Sequence, residues 1–439
     1  MRRDYPKVCV IGLGYIGLPT AALLATHGIE VTGVDTNPSV VKTINSGNVH
    51  IVEPDLDWKV HRAVQSGFLT AKTEPESADV FLIAVPTPLA ADKRPVVDHV
   101  FSAADTIAPY LRPGGLVILE STSPVGTTEQ LCRRLAERRP DLSFPVAARQ
   151  AAQSDIAVAY CPERVLPGRI LTELVDNDRC IGGMSPACAA RARGFYERFV
   201  RGSCIETSAR NAEMVKLTEN AFRDLNIAFA NELSMICEEL DVDVWDLIAL
   251  ANRHPRVQIL KPGPGVGGHC IAVDPWFIVD AAPDQARLIR TAREVNDAKA
   301  RHVLARIRAL IDKHPHSRVS CLGLAFKANV DDLRESPAVE IVERLAEEHG
   351  GRIGAVEPFI QRLPERLIQL GVQQQTLDEA LRGNNILVLL VDHNVFRELD
   401  RSRLAGAVIY DTRGIWSEPA GQFGKPLLSV GLQSRIAAA

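Results

Sequence analysis

Residues 7 to 35, KVCVIGLGYIGLPTAALLATHGIEVTGVD, constrain the fold more than any other stretch of the chain. An apolar run gives way to glycines, then to a helix-forming segment, then to a second apolar run. That succession is one β-α-β unit, and strands joined through a crossover helix lie parallel. Gly12-Leu13-Gly14-Tyr15-Ile16-Gly17 stands between the first strand and the helix. Gly12 suits the tight turn, Gly14 leaves room for a pyrophosphate against the backbone, and Gly17 lets helix and strand approach. The whole motif, Tyr15 and Ile16 included, is the expected cofactor-binding turn, with a helix N-terminus to stabilise phosphate charge. Asp35 ends the second strand, eighteen residues after Gly17. Its carboxylate would accept hydrogen bonds from the ribose hydroxyls and repel a 2'-phosphate, so the expected cofactor is NAD.

Further strands are predicted at ADVFLIAVP (78 to 86) and GGLVILEST (114 to 122), with helical segments between them. Strands alternating with helices predict an α/β doubly wound, Rossmann-like sheet, whose ligands bind beyond the carboxyl ends of the strands. Thr87, Thr122 and Thr128 fall at those ends, in VPTP and STSPVGTT. From about Ala209 the pattern changes to more than 30 residues without Gly or Pro, apolar at helical spacing. A helix that long needs a covering partner. A second helical stretch and then strands at RVSCLGL, RIGAVE, NNILVLLVD and AVIYDT predict a smaller α/β domain. The expected division is 1–208 for the nucleotide domain, 209–310 for the central helical region and 311–439 for the C-terminal domain.

Of the 439 residues 46% are apolar, and the net charge is −4 with basic and acidic residues interspersed. No basic stripe of the kind nucleic acid requires is present. No apolar run reaches the roughly 18 residues of a membrane span. The amino-terminal MRRDYPKVCVIG runs into a strand instead of a signal peptide, so the expected location is the cytoplasm. Nine cysteines without a C-x-x-C pair argue against structural zinc and a disulfide framework, and no metal site is expected.

Two groups of residues carry the chemistry. Lys216, Asn220 and Arg223 fall at i, i+4 and i+7 of the long helix and form one polar stripe. A lysine beside an amide suits stabilisation of a developing oxyanion, although a solvated helix face explains such a stripe as well. PGPGVGGHCIAVDPW (262 to 276) places four glycines just before Cys270. Backbone donors and the flanking His269 would hold a thiolate there. Asp274 reads either as a general base for water or as a hydrogen-bond partner of the lysine. A nicotinamide site with a nucleophilic thiol suggests oxidation of an aldehyde through a thiohemiacetal and a thioester. Two other classes fit parts of the pattern: a two-electron dehydrogenase with a structural Cys270, and a non-catalytic NAD-binding scaffold.

GLGYIGLP, STSPVGTT, AYCPERVLPG, KLTENAFRDLNIAFANEL, GVGGHCIAVDP and GLAFKANVDDLRESPA follow in that order along nearly the whole chain. On these motifs the chain resembles the UDP-glucose/GDP-mannose dehydrogenase family, which oxidises the C6 alcohol of a nucleotide sugar to a carboxylate in two NAD-dependent steps. PERVLPG, NRHPRV and DPWFIV look like the branch acting on UDP-N-acetylmannosamine. The resemblance implies that Cys270 is the nucleophile and Lys216 the cation beside the reacting oxygen, supported by Asn220 and Asp274. It implies that Thr122 and Glu163 organise water and nicotinamide, and that Arg164 and Val165 line the sugar pocket. The UDP-glucose branch carries a second glutamate where this chain has Pro167. Arg223, the backbone at Gly267, and Phe326, Lys327 and Arg413 are implied to surround the UDP-sugar. His254 and Arg256 would reach it from a neighbouring subunit, and Arg334 would contact NAD. The long helix would be the seam of a homodimer.

Overall fold

The computed structural model describes residues 6–146, 154–382 and 385–416. The end of the expected C-terminal domain lies outside these residues. The chain divides into two compact units: Met1–Glu219 with Trp276–Pro283, and Asn220–Pro275 with Asp284–Ala439.

The first unit is built on an eight-stranded sheet: β1 (Val8–Ile11), β2 (Val31–Val34), β3 (Leu69–Lys72), β4 (Val80–Ile83), β5 (Leu116–Leu119), β6 (Ala157–Tyr160), β7 (Arg179–Gly183) and β8 (Cys204–Ser208). Their order is β3-β2-β1-β4-β5-β6-β7-β8. β1, β2, β4, β5 and β6 are buried at every position, because helices cover both faces of a parallel sheet. Pairing is parallel from β3 through β6, β7 joins β6 antiparallel, and β8 runs parallel to β7. The strand order reverses at β1 and β4, the place where an open α/β sheet forms its ligand crevice.

The second unit holds a five-stranded parallel sheet: β9 (Val319–Leu322), β10 (Ile353–Val356), β11 (Gln373–Gln374), β12 (Ile386–Leu389) and β13 (Val408–Asp411), in the order β11-β10-β9-β12-β13. The helix Pro337–His349 and the long helix Arg287–Lys313 pack on it through Ile341, Val342, Leu345, Val303, Ile307 and Leu310.

The uninterrupted segment after Ser208 forms one helix, Ala209–Glu239, of 31 residues, about 46 Å at the standard rise per residue. It begins in the first unit and continues into the second. Ala212, Glu213, Lys216, Leu217, Ala221, Asp224, Ala228 and Asn231 are buried, whereas Val215, Phe222, Phe229 and Ile236 are exposed at intervals of seven. No described helix is long and apolar enough to cross a membrane.

Candidate active site

The glycine turn after β1 is tight at two of its three glycines. Gly12 has φ +91°, and a side chain there would overlap the Ala84 carbonyl; one on Gly17 would overlap the carbonyl of Gly12. Nothing lies within 4 Å of the position a Cβ would take on Gly14, which is exposed. This is the open backbone that a pyrophosphate requires. Tyr15 and Ile16 are half-buried before the helix Gly17–Thr26. Asp35 follows β2, and its Oδ2 accepts the Leu13 N–H at 3.1 Å while Oδ1 accepts the Asn37 N–H at 2.9 Å. It therefore steadies the glycine turn itself.

The ends of β4 and β5 are linked by Thr87, whose hydroxyl donates to the Thr122 carbonyl at 2.6 Å. Thr128, six residues on, is fully buried and turned inward. Its hydroxyl donates to Glu213 Oε1 at 2.6 Å and its N–H to the same oxygen at 2.8 Å, while the Gly126 N–H donates to Oε2 at 2.6 Å. Glu213 thus caps the helix Thr127–Arg138. Burial pushes its carboxyl up from the ordinary range, and the Thr128 and Gly126 donors oppose that rise. Glu213 has no role in the sequence reading; its one signal is its position three residues before Lys216, hence on the same helix face.

Lys216 Nζ donates to Glu163 Oε1 at 3.0 Å, and Glu163 Oε2 accepts the Val165 N–H at 3.0 Å. Val165 packs against the apolar core of the sheet. Arg164 donates from Nε to Glu219 Oε2 at 3.1 Å and from Nη1 to the Asp178 carbonyl at 3.1 Å. Pro167 is exposed in the same loop.

In the second unit, Asn220 donates from Nδ2 to Asp274 Oδ2 at 2.5 Å. Asp274 is buried and opens the helix Asp274–Ala281, and its N–H bonds to the Cys270 carbonyl at 2.8 Å. Cys270 is exposed, unlike the buried Cys9, Cys132, Cys161, Cys188, Cys237 and Cys321. Desolvation, and then the charge of Arg334, push His269 below its ordinary value of 6.5. The shift favours the neutral ring of His269.

The glycine loop before Cys270 is held at both ends. The Gly263 N–H donates to Asn231 Oδ1 at 2.9 Å, and Asn231 donates to Asn296 Oδ1 at 2.9 Å. Asn296 and Arg293 both donate to Asp224 Oδ1, at 2.7 and 2.6 Å, within a buried network. Further along, a side chain on Gly267 would overlap the Glu335 carbonyl, and one on Gly268 would lie 3.0 Å from the Phe326 ring. The glycines are spent on close approach to the 326–337 segment of the same unit. The Gly268 N–H donates to the Arg334 carbonyl at 3.3 Å.

The other expected residues of the UDP-sugar side belong to the same unit. Phe326 and Lys327 are half-buried after β9. Arg334 is exposed and forks onto Asp332 at 2.6 and 2.8 Å. Arg413, just after β13, donates to Asp392 Oδ1 at 3.0 Å and fills the space beside Gly263. Arg223 is exposed on the long helix, and His254 and Arg256 are exposed after the helix Val244–Ala251. Among the described residues, no cluster of His, Cys, Asp and Glu comes together to hold a metal ion.

Three family models of the UDP-glucose/GDP-mannose dehydrogenase family match in succession: the NAD-binding domain over 6–200, the central domain over 210–298 and the UDP-binding domain over 320–418. The chain is 61% identical to an NDP-N-acetyl-D-galactosaminuronic acid dehydrogenase of Ralstonia nicotianae, over 94% of this chain and 97% of that one. It is 55% identical to the UDP-N-acetyl-D-mannosamine dehydrogenase of Escherichia coli, over 94% of this chain and all of that one. The solved structure of a UDP-D-ManNAc dehydrogenase from Pyrococcus horikoshii superposes with a TM-score of 0.84 at 37% identity, covering 94% of this chain and 96% of that one.

Proposed function

The chain belongs to the UDP-glucose/GDP-mannose dehydrogenase family, and from that premise we propose that it oxidises C6 of UDP-N-acetyl-D-mannosamine to the uronate through a thioester on Cys270. The observation that carries this reading is the Asn220–Asp274 hydrogen bond. It ties the helix bearing Lys216 to the residue four positions after the exposed thiol. Gly12, Gly14, Tyr15, Ile16, Gly17 and Asp35 would hold NAD, whose nicotinamide accepts a hydride in each oxidation. The open backbone at Gly14 and the acidic end of β2 fit that cofactor. Thr87, Thr122, Thr128 and Arg334 complete the proposed cofactor side, with Thr128 acting through its bond to Glu213.

In the proposed sequence the C6 alcohol gives a proton to water and a hydride to the dinucleotide, leaving the aldehyde, while Lys216 stabilises the negative charge that develops on oxygen and Asn220 orients the same oxygen. Cys270 Sγ adds to the aldehyde carbon, and a second hydride loss leaves the thioester, which water hydrolyses. Asp274 and Glu163 are the two carboxylates proposed to orient that water. Arg164, Val165, Arg223, Gly267, Phe326, Lys327 and Arg413 are the proposed UDP-sugar contacts, with guanidinium groups suited to a diphosphate. The proposed regions 1–208, 209–310 and 311–439 follow the three matched stretches. The apolar row Val215, Phe222, Phe229 and Ile236 supports a homodimer through the long helix, which would bring His254 and Arg256 to the neighbouring sugar.

A second sugar is favoured by the 61% identity to the galactosaminuronic acid enzyme. The test is a panel of UDP-N-acetylmannosamine, UDP-N-acetylgalactosamine, UDP-N-acetylglucosamine and UDP-glucose, with NADH counted per sugar consumed. Preference for the mannosamine substrate with two NADH per sugar supports the proposal. One NADH per sugar, or full turnover by Cys270→Ala, overturns the covalent route.

A further inference from the structure

Phe326 and Lys327 ride on the short segment after β9, and one buried pair fixes its course. Glu357, immediately after β10, accepts the N–H groups of Leu324 and Ala325 on Oε2 at 2.7 and 3.0 Å, and that of Phe359 on Oε1 at 3.1 Å. His393 Nε2 lies 3.1 Å from the same Oε2, and both side chains are wholly buried. The far end of the segment is held by the other ring nitrogen, where the Asn329 N–H reaches Nδ1 at 2.9 Å. A ring nitrogen that receives an N–H carries no proton of its own. His393 is therefore the neutral tautomer with its proton on Nε2, donating to Glu357. Phe359 and Phe396 flank the ring at 5.0 and 5.5 Å between centroids. The segment itself is sharply bent, with φ +91° at Gly323 and φ +61° at Asn329.

The same segment bears on the thiol loop. The Phe326 ring lies 3.0 Å from where a Cβ on Gly268 would stand, and Phe326 Cβ lies 3.0 Å from one on Gly267. Cys270 follows two residues after Gly268. An unbroken series of contacts thus runs from Glu357 and His393, through Leu324, Ala325 and Asn329, to Phe326 and the glycines.

We propose that Glu357 and His393 are positioning residues that set Phe326 against Gly267 and Gly268 and so fix the Cys270 loop. The kinetic consequence rests on the proposed role of Cys270; the placement of the loop does not. The two ring nitrogens can be tested separately. His393→Asn keeps an acceptor near Nδ1 and loses the donor to Glu357, whereas His393→Gln keeps a donor near Nε2 and loses the acceptor for Asn329.

Three readouts apply to each variant: the iodoacetamide alkylation rate of Cys270 followed by mass spectrometry, the Kd for UDP, and kcat with both KM values. The expected result is an alkylation rate changed at least threefold in His393→Gln, UDP binding weakened at least threefold, and kcat lowered about tenfold with KM for NAD unchanged. Alkylation and kcat within twofold of wild type in a folded His393→Gln would overturn the proposal. Hydrogen exchange on the unaltered protein needs no variant. Segments 264–270 and 323–329 are expected to gain protection together when UDP is added, and protection confined to one of them also overturns the coupling. Turnover by Cys270→Ala would instead remove the catalytic reading while leaving the exchange and UDP results interpretable.

Discussion

Lys216 Nζ lies 3.0 Å from Glu163 Oε1, and only 6% and 10% of the two side chains are exposed. The pair joins the long helix to the loop after β6. Removing one partner of a buried ion pair leaves an uncompensated charge, which destabilises by about 3–5 kcal/mol. Glu163→Gln keeps the shape and removes the charge. It is expected to lower unfolding free energy by about 3 kcal/mol in urea and to reduce kcat about a hundredfold. Wild-type stability together with wild-type kcat would separate this pair from both fold and chemistry.

Asp35 serves the glycine turn through Leu13 and stands where the ribose is expected. Asp35→Ala is expected to raise KM for NAD about tenfold, equivalent to about 1.4 kcal/mol, and to narrow the preference for NAD over NADP. Steady-state kinetics with both cofactors decide it. An unchanged ratio of kcat/KM values would place the discrimination elsewhere.

The glycines can be ranked by what surrounds them. Gly267→Ala meets the Glu335 carbonyl, whereas Gly194, inside the helix Pro186–Tyr196, has nothing within 4 Å of a new Cβ. Gly194→Ala is expected to stabilise by up to about 1 kcal/mol through helix propensity. Gly267→Ala is expected to destabilise by about 1–3 kcal/mol through overpacking. Thermal unfolding of both variants provides the comparison.

Lys299 supplies a pH signature. It donates to Ser234 at 2.7 Å, and burial lowers it from its ordinary 10.5 to about 8, partly opposed by Glu238. Between these values the unfolded chain holds the proton and the folded one has released it. Unfolding therefore takes up protons, and stability rises with pH through that window. The rise is on the order of 3 kcal/mol. Lys299→Met is expected to abolish this contribution, read as the difference between wild-type and variant urea midpoints at pH 7.5 and 10.

Burial pushes the thiols of Cys9, Cys132, Cys161 and Cys321 up to about 12. Cys270 is the exposed one. Native protein at pH 8 is expected to take up one equivalent of iodoacetamide per chain, at Cys270. Modification of several thiols at similar rates would contradict the packing around the others.

The first β-α-β unit and the long helix were legible because each obeys a local rule: glycine spacing in one, more than two dozen residues of helical periodicity in the other. β6, four buried residues, went unread because so short an apolar run does not stand out, and β3, β7, β8 and β11 were not legible either. β3 alternates buried and exposed positions, β8 is half-exposed CIETS, β7 contains two glycines, and β11 has two residues. Such strands owe their existence to neighbours, not to their own apolar content. Site geometry divides in the same way. Residue types near Cys270 and Lys216 could be named from motifs. The partners Glu213 for Thr128, Asp392 for Arg413 and His393 for Glu357 lie 85, 21 and 36 residues apart. Nothing in local spacing encodes such pairs. The glycine run before Cys270 was read as a source of backbone donors for a thiolate, and its tightest contacts are with the chain's own 326–337 segment.

Glu213 has one more consequence. By bonding to Gly126 and Thr128 it acts as a counter-ion that the chain carries with it at the start of the helix Thr127–Arg138. Phosphate in solution competes there against a tethered anion that dilution cannot remove. At the turn after β1 the carboxylate of Asp35 is bonded to the Leu13 N–H, and the space around Gly14 stays open. Of these two strand-to-helix turns, the one after β5 is thus occupied by the chain's own carboxylate, and the one after β1 is left open at Gly14.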